Sequence, residues 1–181
     1  MINFIFIKMH NVIDNLLLIE NDLKDNHLSK IPEIVAVSKT FSMNKILPLI
    51  NHGHIHFGEN KIQEAIKKWS EVKKKYSKIK LHMVGKCQSN KAKYLIPLFD
   101  YLHSLDNIKL AQKIYEEEKK HNKKINIFIQ VNIGKENQKN GLEINQLKDF
   151  YEKCTKDLKL NIIGIMCIPP NDDNPGRYFA E

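Results

Sequence analysis

The sequence is poor in arginine, and this scarcity argues against nucleic-acid recognition. Of its 29 basic residues only Arg177 is arginine, and the others are lysine. Proteins that read base edges or grip phosphates favour the planar, bidentate guanidinium group. The lysines are mixed with glutamates along helical stretches, which is typical of a solvated helix face. The net charge of +8 therefore does not predict a nucleic-acid partner.

The sequence also lacks paired cysteines and long apolar runs. Cys87, Cys154 and Cys167 form no CxxC pair and are odd in number, which argues against a disulfide framework or a zinc site. The apolar run 2–7 is interrupted by Asn3 and is far shorter than the roughly 20 residues that span a bilayer. No basic region precedes this run, so it does not resemble a signal peptide. We expect a cytoplasmic protein without membrane association.

The sequence instead contains an alternation of short apolar runs and longer amphipathic stretches. Hydrophobic residues make up 42 % and charged residues 28 % of the chain, as in ordinary soluble globular proteins. Strands are predicted at 34–38, 55–57, 81–84, 101–105, 125–132 and 160–168. Helices are predicted at 11–23, 43–51, 61–76, 91–99 (interrupted by Pro97), 108–121 and 142–158. Strands that are apolar on both faces and separated by helices predict a parallel sheet covered by helices.

Two architectures fit this pattern, an open doubly wound sheet and a (β/α)8 barrel. A doubly wound nucleotide-binding sheet usually has a glycine-rich turn after its first strand, whereas this first strand ends in residues 38–40, Ser-Lys-Thr. Polar residues recur at the carboxyl ends of several strands, as they do at the active face of a barrel. They are Lys39, Glu59, Asn60, Lys86, Gln88, Asp106 and Asn132. The pattern predicts an incomplete α/β barrel, with six of the eight βα units, that occupies residues 1–181 as a single domain.

Lys39 differs from most other lysines because it directly follows an apolar strand. At the mouth of a barrel a partly desolvated ammonium group is disfavoured, and the neutral amine can then form a Schiff base with an aldehyde. The alternative is a lysine whose side chain merely extends from the strand end into solvent. Position alone, among so many lysines, favours this second interpretation.

Asn60 closes the segment 57–60, Phe-Gly-Glu-Asn, in which a predicted strand leads into a helix. Its amide can both donate and accept hydrogen bonds at the mouth of a barrel. By itself the segment is better explained as an ordinary turn from strand to helix. His52, His54 and His56 alternate before it, which a metal site could use, but a loop that leads into the strand explains them more simply.

A series of short motifs follows from residue 36 to residue 169. They are AVSKT at 36–40, FGEN at 57–60 with QE at 63–64, H-x-x-G-x-x-QSNK at 82–91, HSLD at 103–106, QVN at 130–132, E-N-x-K-x-G at 136–141 and G-I-M-x-I-P at 164–169. In this order they resemble the motifs of the pyridoxal 5′-phosphate homeostasis protein family, whose fold is like the N-terminal barrel of alanine racemase. The resemblance runs from about Val35 to the end of the chain.

The resemblance implies particular roles for single residues. The lysine that matches Lys39 holds pyridoxal 5′-phosphate as a Schiff base in the family, and Asn60 becomes a candidate for contact with the pyridoxal ring. Lys139 matches a family lysine on a loop, which we interpret as a surface residue able to contact free cofactor. Family members often carry a second basic residue two positions after the Schiff-base lysine, where this chain has Phe41, so no relay role is assigned there.

The resemblance implies a non-catalytic carrier of pyridoxal phosphate. Such a protein holds the reactive aldehyde as an imine and releases it to pyridoxal-phosphate-dependent apo-enzymes, and we expect it to be a monomer. One alternative is a weak amino-acid racemase, which would need a second acid–base group on the opposite face of the substrate carbon. Another is a degenerate family member with weak or no ligand binding.

The family extends beyond the last matched motif. A helix and two further strands supply its phosphate cradle and an arginine that faces the pyridine nitrogen, whereas this sequence ends at Glu181. A decayed gene, a split gene and an incomplete record are three explanations, and Met9 is an alternative start. Because the phosphate sites of such barrels commonly follow strands seven and eight, we expect weaker binding of pyridoxal phosphate than in a full-length relative.

Overall fold

A computed structural model describes residues 11–26, 30–134, 140–170, 174 and 176–180. Within them the backbone forms one sheet of six strands, β1 to β6, which lie side by side in the order of the chain. Every neighbouring pair is parallel. Since the order never reverses, the doubly wound alternative is wrong and the predicted six βα units of a barrel are confirmed.

The elements alternate along the chain as the sequence predicts. The strands are β1 (Ala36–Val37), β2 (His56–Glu59), β3 (Lys80–Met83), β4 (Tyr101–Leu105), β5 (Asn126–Gln130) and β6 (Ile162–Met166). The helices are α1 (Asn11–Asp25), α2 (Met43–His52), α3 (Ile62–Lys75), α4 (Ala92–Leu98), α5 (Ile108–His121), α6 (Leu147–Glu152) and α7 (Gly176–Ala180). Among the described residues no helix is both long and apolar enough to cross a membrane.

Several element boundaries depart from the prediction. Strand β1 has two residues instead of the predicted five, because β2 is its one ladder partner in the described part of the chain. The predicted helix 142–158 consists of a 3-10 turn, the short helix α6 and a π-helical turn over Lys153–Asp157. Pro97 lies inside α4, one residue before its end, so it marks the last turn rather than an interruption.

The two faces of the sheet bury different kinds of side chain. Phe57, Leu81, Leu102 and Ile127 are fully buried on the face that the helices cover, where Phe57 packs against Trp69 of α3. Period-two alternation sends the intervening residues to the opposite face, which we call the inner face. The apolar helix side supplies most of the burial that holds the helices to the sheet.

The inner face carries a row of three hydrogen-bonded histidines on adjacent strands, His56, His82 and His103. Nδ1 of His56 lies 2.9 Å from Nε2 of His82, and Nδ1 of His82 lies 2.8 Å from Nε2 of His103. The His82 ring stacks on Tyr101 at 4.1 Å between centroids, and the His103 ring stacks on Phe128 at 4.5 Å. This row occupies the middle of the inner face with polar rings that satisfy one another.

The hydrogen-bond pattern fixes the tautomers of the histidine row. Nε2 of His56 lies 3.3 Å from the carboxylate of Glu33, which can only accept, so Nε2 of His56 carries a proton. Nδ1 of His56 then accepts from Nε2 of His82, and Nδ1 of His82 accepts from Nε2 of His103. In this arrangement each ring donates one bond toward Glu33. His52 ends α2 instead of sharing this face, and the described residues contain no group of three or more metal-ligating side chains arranged to hold a metal ion.

We expect the histidine row to make the protein acid-sensitive. Burial, followed by repulsion from His103 and His56, lowers the pKa of His82 to about 3, and burial lowers the pKa of His103 to about 4. In the unfolded chain both would take up a proton near their ordinary pKa of 6.5. The contribution of these two histidines to the free energy of unfolding is therefore fully present above pH 6.5. It is lost as the pH falls toward 4, by up to about 1.4 kcal/mol per pH unit for each histidine.

Chemical denaturation from pH 7.5 to 4.5 measures this effect. His82→Gln and His103→Gln should each reduce the slope of the free energy of unfolding against pH, whereas the control His52→Gln, at an exposed position, should leave it unchanged. Carboxylates contribute to the acid slope of every variant, so the difference from the unmodified protein is the informative quantity. Equal slopes in all variants would contradict the assignment.

Candidate functional site

The two residues predicted for the site lie at the carboxyl ends of the first two strands. Val37 pairs with Gly58 in the parallel ladder, and Lys39 and Asn60 each follow that pair by two residues. Ala36 pairs with Phe57 on the helix side, so alternation places Val37, Lys39 and Asn60 in phase with the inner face. The fold therefore brings Lys39 and Asn60 level with each other at the same end of the sheet.

Lys39 is exposed, as in the interpretation that position alone favours, in which the side chain extends from the strand end into solvent. The reason is the edge position of β1, where even the aliphatic side chain of Val37 is 45 % exposed. Lys39 lies in a turn in which the N–H of Phe41 donates to the carbonyl of Ser38 at 3.2 Å. Thr40 has a φ of 68°, a left-handed conformation that costs a β-branched residue roughly 1–3 kcal/mol. A strained turn thus holds this exposed amine.

The backbone before Lys39 is anchored by a buried carboxylate, that of Glu59. Its Oε1 atom accepts hydrogen bonds from Oγ of Ser38 at 2.7 Å, Nζ of Lys68 at 2.9 Å and Nε1 of Trp69 at 2.9 Å. Nζ of Lys68 also donates to the carbonyl of Ser38 at 2.9 Å, and the N–H of Ser38 donates to the carbonyl of Gly58 at 2.8 Å. We call Ser38, Glu59, Lys68 and Trp69 the carboxylate cluster.

Sequence reasoning placed Glu59 among the strand-end polar residues and missed its role in the carboxylate cluster. The side chain of Glu59 is 1 % exposed and that of Lys68 is 16 % exposed. Oε2 of Glu59 is buried and has no hydrogen-bond partner within the described part of the chain. A usable signal is present in the sequence, because Glu59 is two residues from the buried Phe57 and must point to the same helix-covered face.

Asn60 is held by an unusually close approach from the loop after β3. A Cβ atom on Gly85 would lie 2.3 Å from the carbonyl oxygen of Asn60, which no side chain can tolerate. The carbonyl of Gly85 accepts from Oγ of Ser104 at 2.7 Å, and the N–H of Val84 donates to the carbonyl of Glu59 at 2.9 Å. The glycine of the H-x-x-G motif is therefore required for the packing of β3 against the FGEN segment.

A polar cleft of about 250 Å³ opens beside Asn60 at the carboxyl ends of β2 and β3. Its walls include Asn60, Gln63, Lys86, Gln88 and Lys91. Nζ of Lys86 donates to Oδ1 of Asn140 at 2.6 Å, which ties the cleft to the loop after β5. The structure thus collects polar residues from several strand ends at one edge, as predicted for the active face of a barrel.

The loop after β5 closes on the sheet through a second glycine. Gly141 has a φ of 127°, and a Cβ there would lie 2.7 Å from the backbone nitrogen of Asn132. This tight turn lets Nε2 of Gln130 donate to the carbonyl of Asn140 at 3.1 Å. Lys139, which was predicted to contact free cofactor, lies outside the described residues.

A family model for the alanine racemase N-terminal domain matches residues 13–181. The pyridoxal phosphate homeostasis protein of Buchnera aphidicola (subspecies Schizaphis graminum) is 35 % identical over 166 residues, which cover 89 % of this chain and 72 % of that protein. The protein of the same name from Pasteurella multocida is 34 % identical over 142 residues, 78 % of this chain and 61 % of that protein. The chain thus spans somewhat more than half of that relative's length.

Solved structures show the same fold. PipY of Synechococcus elongatus with pyridoxal phosphate bound superposes with a TM-score of 0.78 at 27 % identity, covering 92 % of this chain and 74 % of that one. An alanine racemase of Clostridium difficile superposes with a TM-score of 0.68 at 17 % identity, covering 92 % of this chain and 44 % of that one, which shows likeness of fold alone. Together with the motifs and the parallel sheet, these matches show that the chain belongs to the pyridoxal phosphate homeostasis protein family, within the alanine racemase N-terminal domain fold.

Proposed function

We propose that this protein binds pyridoxal 5′-phosphate through Lys39 and carries it without catalytic turnover. The observation that carries the proposal is the combination of an exposed amine and a fixed backbone at Lys39, at the carboxyl end of β1. A relative of known structure, PipY, was solved with pyridoxal phosphate bound. The relatives named for pyridoxal phosphate homeostasis support the same cargo.

The residues at this edge fit the aldehyde end of the cargo. The neutral Lys39 amine adds to the aldehyde carbon, a C=N bond forms and water leaves, and hydrolysis reverses each change. The amide of Asn60, level with Lys39, can donate to or accept from the polar substituents of the pyridine ring. Because Lys39 is exposed, water can leave when the bond forms and can return to hydrolyse it, as a carrier requires for release.

Racemisation requires catalytic groups in addition to an amine that binds the aldehyde. A racemase needs a second acid–base group on the side of the substrate carbon opposite the first. The likeness to alanine racemase covers 44 % of that longer chain, at an identity that supports the fold only. We therefore propose holding and release, with pyridoxal-phosphate-dependent apo-enzymes as acceptors, and no turnover of amino acids.

The proposal extends to the setting of the protein. We place it in the cytoplasm as a monomeric single domain over residues 1–181. All three cysteines are free thiols, which suits a reducing compartment. Size-exclusion chromatography coupled to light scattering tests the monomer directly.

Borohydride trapping tests the role of Lys39. We expect the full chain mixed with pyridoxal phosphate to show the long-wavelength absorbance of an imine, which borohydride bleaches. Peptide mapping should place the reduced adduct on Lys39, and Lys39→Ala should lose it, because the neighbouring amine at that strand end, that of Lys68, is engaged by Glu59 and by the Ser38 carbonyl. Lys45→Ala is the matched control, since Lys45 is also exposed and lies six residues further along.

Three results would overturn the proposal. An adduct spread over many lysines would indicate non-specific reaction, full labelling of Lys39→Ala would move the site elsewhere, and an absence of any adduct would favour the degenerate alternative. Pyridoxal without phosphate, titrated in parallel, measures how far the phosphate contributes. A racemisation assay on the same preparation should give no turnover of alanine.

Gly85→Ala tests whether the position of Asn60 matters for the cargo. The new Cβ would meet the Asn60 carbonyl oxygen at 2.3 Å, and because that atom is backbone, Asn60 must move. We expect weaker binding of pyridoxal phosphate and a loss of roughly 1–3 kcal/mol in stability, while the adduct stays on Lys39.

Gly176→Ala serves as the control for this glycine substitution. A Cβ there would lie 3.5 Å from Oδ1 of Asn174, which is an ordinary contact, so binding should be unchanged and stability should not fall, because alanine is the better helix former. Absorbance titration gives the affinity, and thermal unfolding in the absence of ligand gives the stability. Unchanged affinity in Gly85→Ala would remove Asn60 from the site.

A further inference from the structure

We infer that Lys68 is a positioning residue that fixes the backbone of Lys39 for reaction with the aldehyde. The inference rests on the proposed function, because it concerns how the reactive amine is presented. Lys68 itself lies on α3, on the helix-covered side of the sheet, and acts through the peptide group that joins Ser38 to Lys39.

The contacts of Lys68 are unlike those of an ordinary surface lysine. Nζ of Lys68 donates to the carbonyl of Ser38 and to Oε1 of Glu59, both at 2.9 Å, and the side chain is 16 % exposed. Lys74 of α3, by contrast, forms an exposed pair within the helix with Glu71. A partly buried cation that bridges a carboxylate and a backbone carbonyl makes charge-assisted hydrogen bonds to both and so restrains that carbonyl.

The Ser38 carbonyl is the point at which the chain leaves the sheet. It accepts from Lys68 and also from the N–H of Phe41 at 3.2 Å, so two donors converge on one oxygen. The Ser38 N–H is bonded to Gly58 at 2.8 Å, and its hydroxyl to Glu59 at 2.7 Å. Every hydrogen-bonding group of Ser38 is therefore committed, which fixes the peptide that carries Lys39.

The turn beyond Lys39 stores strain that needs such an anchor. Thr40 is held at a φ of 68°, which is unfavourable for a β-branched residue and persists only where surrounding contacts impose it. Without the Lys68 bond, the Ser38–Lys39 peptide could rotate and Thr40 could relax to negative φ. Lys39 would stay exposed, but its amine would no longer start from one fixed position.

Lys73 provides a matched control on the same helix. Its Nζ also donates to a backbone carbonyl, that of Leu98 at 2.8 Å, and pairs with a carboxylate, Asp100, with a side chain that is 18 % exposed. Asp100 accepts from the N–H of Leu81 and so belongs to the opposite, amino-terminal end of the sheet. Lys68→Met and Lys73→Met therefore remove equivalent bonds, of which one borders Lys39.

Stopped-flow absorbance with pyridoxal phosphate on the full chain measures the rate constant for imine formation. Loss of one hydrogen bond to a charged group corresponds to roughly tenfold, and we expect Lys68→Met to react about that much more slowly. Lys73→Met should react like the unmodified protein while losing similar thermal stability. Lys68→Arg should recover most of the rate, since its guanidinium can reach both acceptors.

The possible outcomes separate this inference from the proposed function. If the unmodified protein forms no adduct on Lys39, the proposed function fails. If it does, and Lys68→Met reacts at the unmodified rate, or Lys73→Met is slowed equally, the positioning role is wrong. Should Lys68→Met fail to fold, Glu59→Gln keeps an acceptor oxygen for Ser38 and Trp69 but removes the charge that holds Lys68. We expect Glu59→Gln to slow the reaction as well, and an unchanged rate would overturn the inference.

Discussion

The carboxylate of Glu59 is buried on the helix side of β2, and three donors converge on one of its oxygens. A buried charge is tolerated only when it is paired and hydrogen-bonded, so this carboxylate dictates what surrounds it. It requires Ser38 on the neighbouring strand and both Lys68 and Trp69 at adjacent positions of α3. The hydrogen bonds and the ion pair that compensate the buried charge of Glu59 therefore also join β1, β2 and α3. Lys39 follows Ser38 directly, which means that a structural ion pair positions the backbone of the residue proposed to bind the aldehyde.

Helix α3 makes the same kind of lysine contact at both ends of the sheet. Lys68 reaches the carboxyl end of β1 and Lys73 reaches the segment before β4, and each joins a carboxylate to a backbone carbonyl. Five residues separate the two lysines, about 1.4 helical turns, which places them roughly 140° apart around the helix axis. The helix is thereby fixed along its length, and sites built on such rigid elements keep their geometry better than sites on free loops. The difference in function comes from what lies next to each anchor: a strained, exposed turn at Lys39, and ordinary sheet at Asp100.

The strands and helices could be read from the sequence because their cues are local. The apolar runs around Phe57, Leu81 and Ile127 and the helical spacing around Trp69 depend on nearest neighbours in the chain, so the order of elements and the parallel sheet were predictable. The motif AVSKT likewise pointed to Lys39. The contacts of Glu59 with Ser38 and of His82 with His103 span 20 or so residues of sequence and arise only when strands align in register. The exposure of Lys39 agrees with the interpretation that its position favoured, whereas the edge position of β1 that causes it follows from how the strands assemble.

Two sets of buried polar side chains, one on each face of the sheet, are stabilised in opposite ways. The contrast bears on how a carrier differs from a catalyst. On the helix side, Glu59 and Lys68 form an ion pair that fixes backbone without presenting either group to the cargo. On the inner face, the rings of His56, His82 and His103 form hydrogen bonds with one another, and His56 also contacts Glu33. Both arrangements confine ionisable groups to structural roles. Lys39 is left as an exposed amine on a fixed backbone, and a bond made there stays open to hydrolysis. The proposed binding and release fits this arrangement, since turnover would need acid–base groups directed at the bound molecule.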